Sequence, residues 1–182
     1  MPHEARPIAV DLYSGAGGLS LGLEQAGFDV ACAVEYDPVH AATHRYNFPD
    51  TPVLCDDASA LGVSSLREST AHGWSLRNPG SQWDDKIDLV AGGPPCQGFS
   101  TIGRRQSDDQ RNDLVFHFHR LVAGLRPRAF LMENVPGIMS SGSGGVVEAL
   151  VAAFERSGYL VAAPMLLNAA SFGVPQNRHR FI

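Results

Sequence analysis

The sequence predicts an α/β domain built on a doubly wound, mostly parallel sheet, and three observations carry that prediction. Short apolar runs alternate with helix-like stretches along the chain, the pattern that lays helices on both faces of a parallel sheet. The runs are continuously apolar instead of alternating, as strands buried on both faces must be. Polar or reactive clusters stand where the runs end, the edge at which ligands bind in sheets of this kind.

In order, PIAVDLYS is the first run and GLSLGLEQAG the helix-like segment after it; FDVACAVEYD and PVHAATHRYNF repeat the unit, and TPVLCDD is the third run. A polar, Gly/Pro-containing stretch follows, and residues 62–83, 97–112 and 139–145 read as loops and the most mobile segments. KIDLVAGGP resumes the pattern, DLVFHFHRLVAGL is helix-like, and RAFLMENV is the next run. A Gly/Ser loop, the helix-like GVVEALVAAFERSG and the apolar YLVAAPMLLNAA complete it. With 182 residues, 44% of them apolar, the chain is long enough for one well-buried core.

Composition narrows the function classes. No apolar run reaches the roughly 18 residues that span a bilayer and the N-terminus lacks a signal pattern, so a cytoplasmic protein without membrane partners is expected. Cys32, Cys55 and Cys96 are an odd set without C-x-x-C spacing, which argues against a disulfide framework and a zinc site. His40 and His44 share a helix face without the glutamate of H-E-x-x-H, and are read as belonging to a solvated helix; no metal is expected. Net charge is −5, but residues 1–95 carry 5 Lys/Arg against 13 Asp/Glu, whereas 96–182 carry 9 against 6. The second half can therefore face an anion while the first faces something neutral or cationic.

The first run opens into DLYSGAGGLSLG. Glycines there let backbone approach a ligand and leave N–H groups at the following helix start open to an anion. A dinucleotide loop requires G-x-G-x-x-G, and Ser20 occupies the last position, which weakens a nicotinamide reading. Glu35, 20 residues beyond Gly15, can accept hydrogen bonds from two ribose hydroxyls. A ribose-bearing cofactor without pyrophosphate and with a sulfonium cation suits this acidic half. S-adenosylmethionine meets that description, with its carboxylate at the helix start, its ribose at Glu35 and its adenine at Asp56.

Cys96 sits in GGPPCQGFS. Pro94 and Pro95 stiffen the backbone and remove donors, so the thiol is aimed by a rigid segment, unlike a cysteine that fills a core gap. No histidine lies near in sequence to serve a papain-like pair. Glu133, at an apolar strand end, is better placed, because desolvation lets it hold or share a proton with a heterocycle nitrogen. A thiolate at Cys96 and an acid at Glu133 are what cytosine C5 chemistry needs: addition at C6 turns C5 into a nucleophile. The base must leave the duplex stack for it.

The motifs DLYSGAGGLSLGLEQAGF, EYD, GGPPCQGFS, ENVPG and QNRHRFI resemble, in order, those of the cytosine-C5 DNA methyltransferases. The resemblance implies a Rossmann-like, S-adenosylmethionine-dependent methyltransferase fold acting on double-stranded DNA, as in restriction–modification. It implies that Cys96 is the nucleophile and that Glu133 binds the N3/N4 edge. Arg178 and Arg180 would contact the base carbonyl and nearby phosphate, with Gln176 in support. Tyr13, Gly15, Gly17, Glu35, Tyr36, Asp56, Pro94 and Leu114 would line the cofactor site; Asp57, read from its position, either neighbours the adenine or is solvated. Gln97, Ser100 and Arg104, with Arg105 and Arg111, fall on the family's closing loop. An arginine at a sheet end also pairs readily with a local carboxylate. Cys32 and Cys55, inside strand-like runs, are assigned to core packing.

The family continues past Q-x-R-x-R into a target-recognition domain and a last stretch that completes the cofactor site. The expectation is one catalytic domain over 1–182, incomplete at its C-terminus. Three alternatives stand beside an active enzyme: one half of a split methyltransferase working with a second chain, a non-catalytic scaffold, and a tRNA-directed relative. The last resembles PPCQPFT more than PPCQGFS, which favours DNA.

Overall fold

The computed structural model describes residues 6–95, 113–139 and 144–182. Cys96, Gln97, Ser100, Arg104, Arg105 and Arg111 lie outside the described residues. The chain forms two compact units, Met1–Gly92 with Gly124–Leu131, and Gly93–Ala123 with Met132–Ile182.

The first unit holds β1 (Ile8–Leu12), β2 (Asp29–Val34), β3 (Val53–Leu54) and β4 (Leu89–Gly92), and β5 (Ala129–Met132) completes a five-stranded sheet of order β3-β2-β1-β4-β5. β1 pairs in parallel with β2 and β4, and β2 with β3, so their C-terminal ends share one edge. Every residue of β1, β2 and β4 is buried, the two-sided burial that their unbroken apolar runs anticipate. Ala9, Leu23, Val30, Leu89 and Ala91 make one core cluster, with Leu19, Phe28 and Leu131 against it.

Three helices cover this sheet: α1 (Gly18–Gln25), α2 (Pro38–Asn47) and α3 (Val63–Arg77). The start of α2 is written locally. Pro38 presets the first turn, and the Asp37 carboxylate accepts from the Val39 and His40 N–H groups, bonds that hold its pKa below the usual carboxylate range. α3 overturns the loop expected over 62–83. Its buried positions, Leu66, Thr70 and Gly73, follow a helical spacing but include only one large apolar side chain, so the stripe is invisible to a hydrophobicity reading. A Cβ on Gly73 would lie 1.9 Å from the Ala31 carbonyl oxygen of β2. α3 therefore rests on the strand by backbone approach instead of side-chain interdigitation.

In the second unit, α4 (Asp113–Leu125) buries Val115, Phe118, Leu121 and Val122 along one face, and Phe118 meets Phe154 of α5 (Gly144–Arg156) edge to face at 6.2 Å. His119 bonds to the Ala153 carbonyl and Ser157 hydroxyl at the end of α5. β6 (Leu166–Asn168) and β7 (His179–Phe181) form an antiparallel pair, and Phe181 exchanges both backbone hydrogen bonds with Asn134. Of YLVAAPMLLNAA only Leu166–Asn168 is strand, and Leu160 is fully exposed. Apolar content alone does not make a strand where no neighbour accepts the ladder.

Two further expectations are corrected. Cys55 stands just past β3, exposed, with its Sγ 3.8 Å from the Tyr36 carbonyl oxygen, because β3 spans two residues and ends before it. His44 is fully buried, not solvated. Cys32 is buried as expected, and burial pushes its thiol up to about 11.

Candidate active site

Where β1 ends, Tyr13 takes a left-handed conformation with φ 60°, an uncommon cost for a tyrosine and one that clusters at functional sites. Gly15 and Gly17 continue the turn at φ 55° and 101°. Gly17 is the N-cap of α1, and among the described residues no side chain caps that helix. The N–H groups of the helix start are therefore left open to an anion.

Glu35 ties this loop to the end of β2. Its Oε2 accepts the Gly15 N–H at 2.8 Å and its Oε1 the Asp37 N–H at 2.8 Å, and its side chain is 12% exposed. Each oxygen keeps a second lone pair, so the carboxylate remains able to accept from a diol. Tyr36 follows, 74% exposed, an aromatic face available for stacking. Asp56 lies exposed beyond β3, its Oδ1 accepting the Asp57 N–H at 2.7 Å. Asp57 turns its own Oδ1 to the Ser59 N–H at 2.8 Å, an Asx turn that shapes the loop. The fold thus gathers Tyr13, Gly15, Gly17, Glu35, Tyr36, Asp56 and Asp57 at the strand ends of one unit.

Pro94, Glu133, Arg180, Leu114, Gln176 and Arg178 belong to the second unit. Pro94 is buried, and its carbonyl accepts from Asn134 Nδ2 at 3.0 Å. Asn134 is itself 4% exposed and fixed by β7, so it splints the proline segment that leads to Cys96. Beside it, Glu133 does not stand in apolar surroundings: its side chain is 30% exposed, and Arg180 Nε lies 3.3 Å from Oε2. Arg180 thus pairs with a local carboxylate, and that carboxylate is the one assigned to the base edge. Arg178 and Gln176 are exposed on the approach to β7, and Leu114 is half-buried on α4.

Three residues of consequence went unassigned in the sequence. Asn134 was visible only as a polar neighbour of Glu133. His44 was a histidine of no evident partner. Gly93 carries its meaning in space alone: a Cβ there would meet Glu133 Oε1 at 2.5 Å and Cδ at 2.9 Å. The obstacle is the end of a flexible side chain, so Gly93→Ala folds normally but displaces the carboxylate. In an assembly where the wild type is active, its kcat falls by about 10²-fold with little change in Tm. A kcat within a factor of about two of wild type would show that the carboxylate position is unimportant.

Nearly the whole chain is similar to known proteins. Residues 8–182 match the family model described as C-5 cytosine-specific DNA methylase. Type II methyltransferase M.XorII of Xanthomonas oryzae pv. oryzae is 44% identical over 178 residues, 97% of this chain but 40% of that protein. M.AquIA of Picosynechococcus sp. is 41% identical over 180 residues, 94% of this chain and 68% of that protein. A prophage-encoded Escherichia coli protein, crystallised as a DNA modification methyltransferase, superposes with a TM-score of 0.78 at 40% identity, over 96% of this chain and 45% of that one. Spodoptera frugiperda DNMT2, at 23% identity and a TM-score of 0.67, shares the fold. The chain spans less than half the length of most of these relatives. Its motifs, its sheet order and the match over residues 8–182 place the chain in the C-5 cytosine-specific DNA methylase family.

Proposed function

We propose that this chain is the catalytic core of a DNA cytosine-C5 methyltransferase that uses S-adenosylmethionine. The observation that carries the reading is the Asn134–Pro94 hydrogen bond: the residue that splints the support of Cys96 is the sequence neighbour of Glu133. Pyrimidine activation requires a nucleophile and a carboxyl group at fixed separation, and this bond ties the segment before Cys96 to the neighbour of Glu133.

The residues at the glycine loop fit the cofactor, because α1 lacks a side-chain cap and Glu35 retains acceptor capacity. Tyr13, Gly15 and Gly17 would receive its carboxylate, Glu35 its ribose, and Tyr36 and Asp56 its adenine with Asp57 beside them; the family resemblance also assigns Pro94 and Leu114 to cofactor binding. When bound, S-adenosylmethionine supplies the methyl group and leaves as S-adenosylhomocysteine. On the substrate side, the Cys96 thiolate adds to C6 of an extruded cytosine while Glu133 engages N3, and electron density reaches C5. After C5 is alkylated, its proton passes to solvent water and the electrons of that C–H bond form the C5–C6 double bond and expel the thiolate from C6. Arg180 holds Glu133 and offers donors to the base carbonyl, and Gln176, Arg178, Gln97, Ser100 and Arg104 supply further substrate contacts.

A second chain supplying target recognition is the companion reading. Its support is that the same region recurs in relatives of different length, being 40% of M.XorII and 68% of M.AquIA. Both readings are tested by one assay: duplex DNA or tRNA containing 5-fluorocytosine is incubated with cofactor and the chain, alone and with the remaining segment of M.XorII. A covalent adduct at Cys96 is expected. An adduct only on mixing selects the two-chain reading, an adduct with tRNA but not DNA moves the substrate, and no adduct in any mixture overturns the assignment.

A further inference from the structure

One side of α2, continued by its cap residue Phe48, addresses the glycine loop throughout. His40, His44, Asn47 and Phe48 recur at the spacing of a single helix face. His40 Nδ1 lies 3.9 Å from Glu35, Asn47 Nδ2 donates to the Ala16 carbonyl at 2.9 Å, and a Cβ on Gly17 would meet the Phe48 ring at 2.2 Å and His44 Cδ2 at 3.2 Å. The loop is seated on this helix.

At the centre of that face is a buried polar chain. Ser20 Oγ donates to Asp11 Oδ2 at 2.6 Å and lies 3.0 Å from His44 Nε2; all three residues are 0% exposed. With Asp11 ionised, proton accounting gives the tautomer. Ser20 has one hydroxyl proton, and the short bond to the carboxylate uses it, so His44 Nε2 carries the hydrogen and donates to Ser20. Among the described residues Nδ1 then has no hydrogen-bond partner, as a neutral ring tolerates better than an imidazolium does. Burial holds this imidazole below its ordinary pKa; the ring's approach to its own backbone carbonyl and the Glu35 charge oppose that effect, and the Arg45 charge adds to it. The ring also packs on Phe48 at a centroid distance of 4.9 Å.

Ser20 is the third residue of α1, and Asp11 is the penultimate residue of β1. The chain therefore bridges the two elements between which the loop turns, from a third element. We propose, resting on the cofactor reading above, that His44 is a positioning residue: through Ser20 and Asp11 it holds the first turn of α1, and with it the loop N–H groups, in the arrangement that receives the cofactor carboxylate. The same Ser20 that breaks the dinucleotide fingerprint is thereby given a function. A helix start without a side-chain cap needs such support, because its orphan donors otherwise turn to water.

The test compares wild type, Ser20→Ala, His44→Phe and His44→Gln. Ser20→Ala removes the hydroxyl at nearly constant volume, His44→Phe keeps the ring but removes the donor, and His44→Gln restores an amide donor. In the unliganded chain, amide exchange at residues 15–19 is expected to rise about tenfold in the first two variants while β1 and β2 stay protected, and to recover in the third. S-adenosylhomocysteine binding measured by calorimetry at a temperature well below unfolding weakens about tenfold in the same two variants and recovers likewise. Uniform loss of protection across the loop and strands, or loop exchange within about twofold of wild type, would overturn the proposal. Were the wild type to bind no S-adenosylhomocysteine while the loop still loosened, the cofactor reading would fail and the positioning role would stand.

Discussion

In an assembly that carries out the proposed transfer, Cys96→Ala is expected to abolish the adduct with 5-fluorocytosine DNA and to slow methyl transfer on the order of 10⁴-fold or more, with cofactor affinity unchanged. The size of the effect follows from the chemistry. Without addition at C6, C5 of cytosine is too poor a nucleophile to attack a methyl group at a useful rate, and the methyl group of alanine cannot make that addition. The two other cysteines serve as controls. Cys32 is fully buried and its thiol is pushed up to about 11, so it is neither accessible nor ionised at neutral pH. Cys55 is exposed, and Cys55→Ser leaves transfer unchanged. Adduct mass spectrometry after proteolysis locates the bond; an adduct at Cys55, or transfer by Cys96→Ala within about tenfold of wild type, defeats the mechanism.

The second large effect concerns stability. Gly73→Ala places a methyl group 1.9 Å from the Ala31 carbonyl oxygen, 2.8 Å from its carbon and 2.9 Å from Pro52 Cδ. These are backbone and ring atoms, without the freedom of a side-chain end, so α3 must move off β2 as a body. Overpacking of that kind costs about 3 kcal/mol, which for a chain of this size lowers Tm by roughly 6–12 °C. Helix propensity works the other way, favouring alanine by about 1 kcal/mol, so the sign of the measured change decides which term wins. Glu68→Ala and His72→Ala, at exposed positions of the same helix, supply the comparison. A Gly73→Ala chain that melts no lower than wild type would show that α3 does not rest on the strand as closely as the geometry has it.

Much of the parallel sheet was legible because burial on both faces leaves a mark on every residue of a strand. IAVDL, DVACAV and LVAG are apolar but for Asp11 and Asp29, and each is a strand. α3 was not legible. Leu66, Thr70 and Gly73 make a helix face out of close approach, and glycine and threonine score as loop residues when their neighbour is unknown. YLVAAPMLLNAA erred in the opposite direction, since a run of apolar side chains promises burial that only a partner can deliver. At the site, Glu35 was readable from its distance to Gly15, and Cys96 from the prolines before it, but the partners were not. Asn134 finds Pro94 across 40 residues, and Ser20 finds His44 across 24.

The sequence by itself determined which chemical groups the chain carries and at which strand ends they stand, because residue type and the short periods of strand and helix are local properties. Only the tertiary structure decided which polar atoms are taken from water and what satisfies them: Arg180 on Glu133, Asn134 on Pro94, His44 beneath the glycine loop. Burial belongs to neighbours far apart in the chain, and a buried donor or acceptor costs too much to leave unpaired, so its partner is chosen by the packing of the fold and cannot be read from the residues on either side of it.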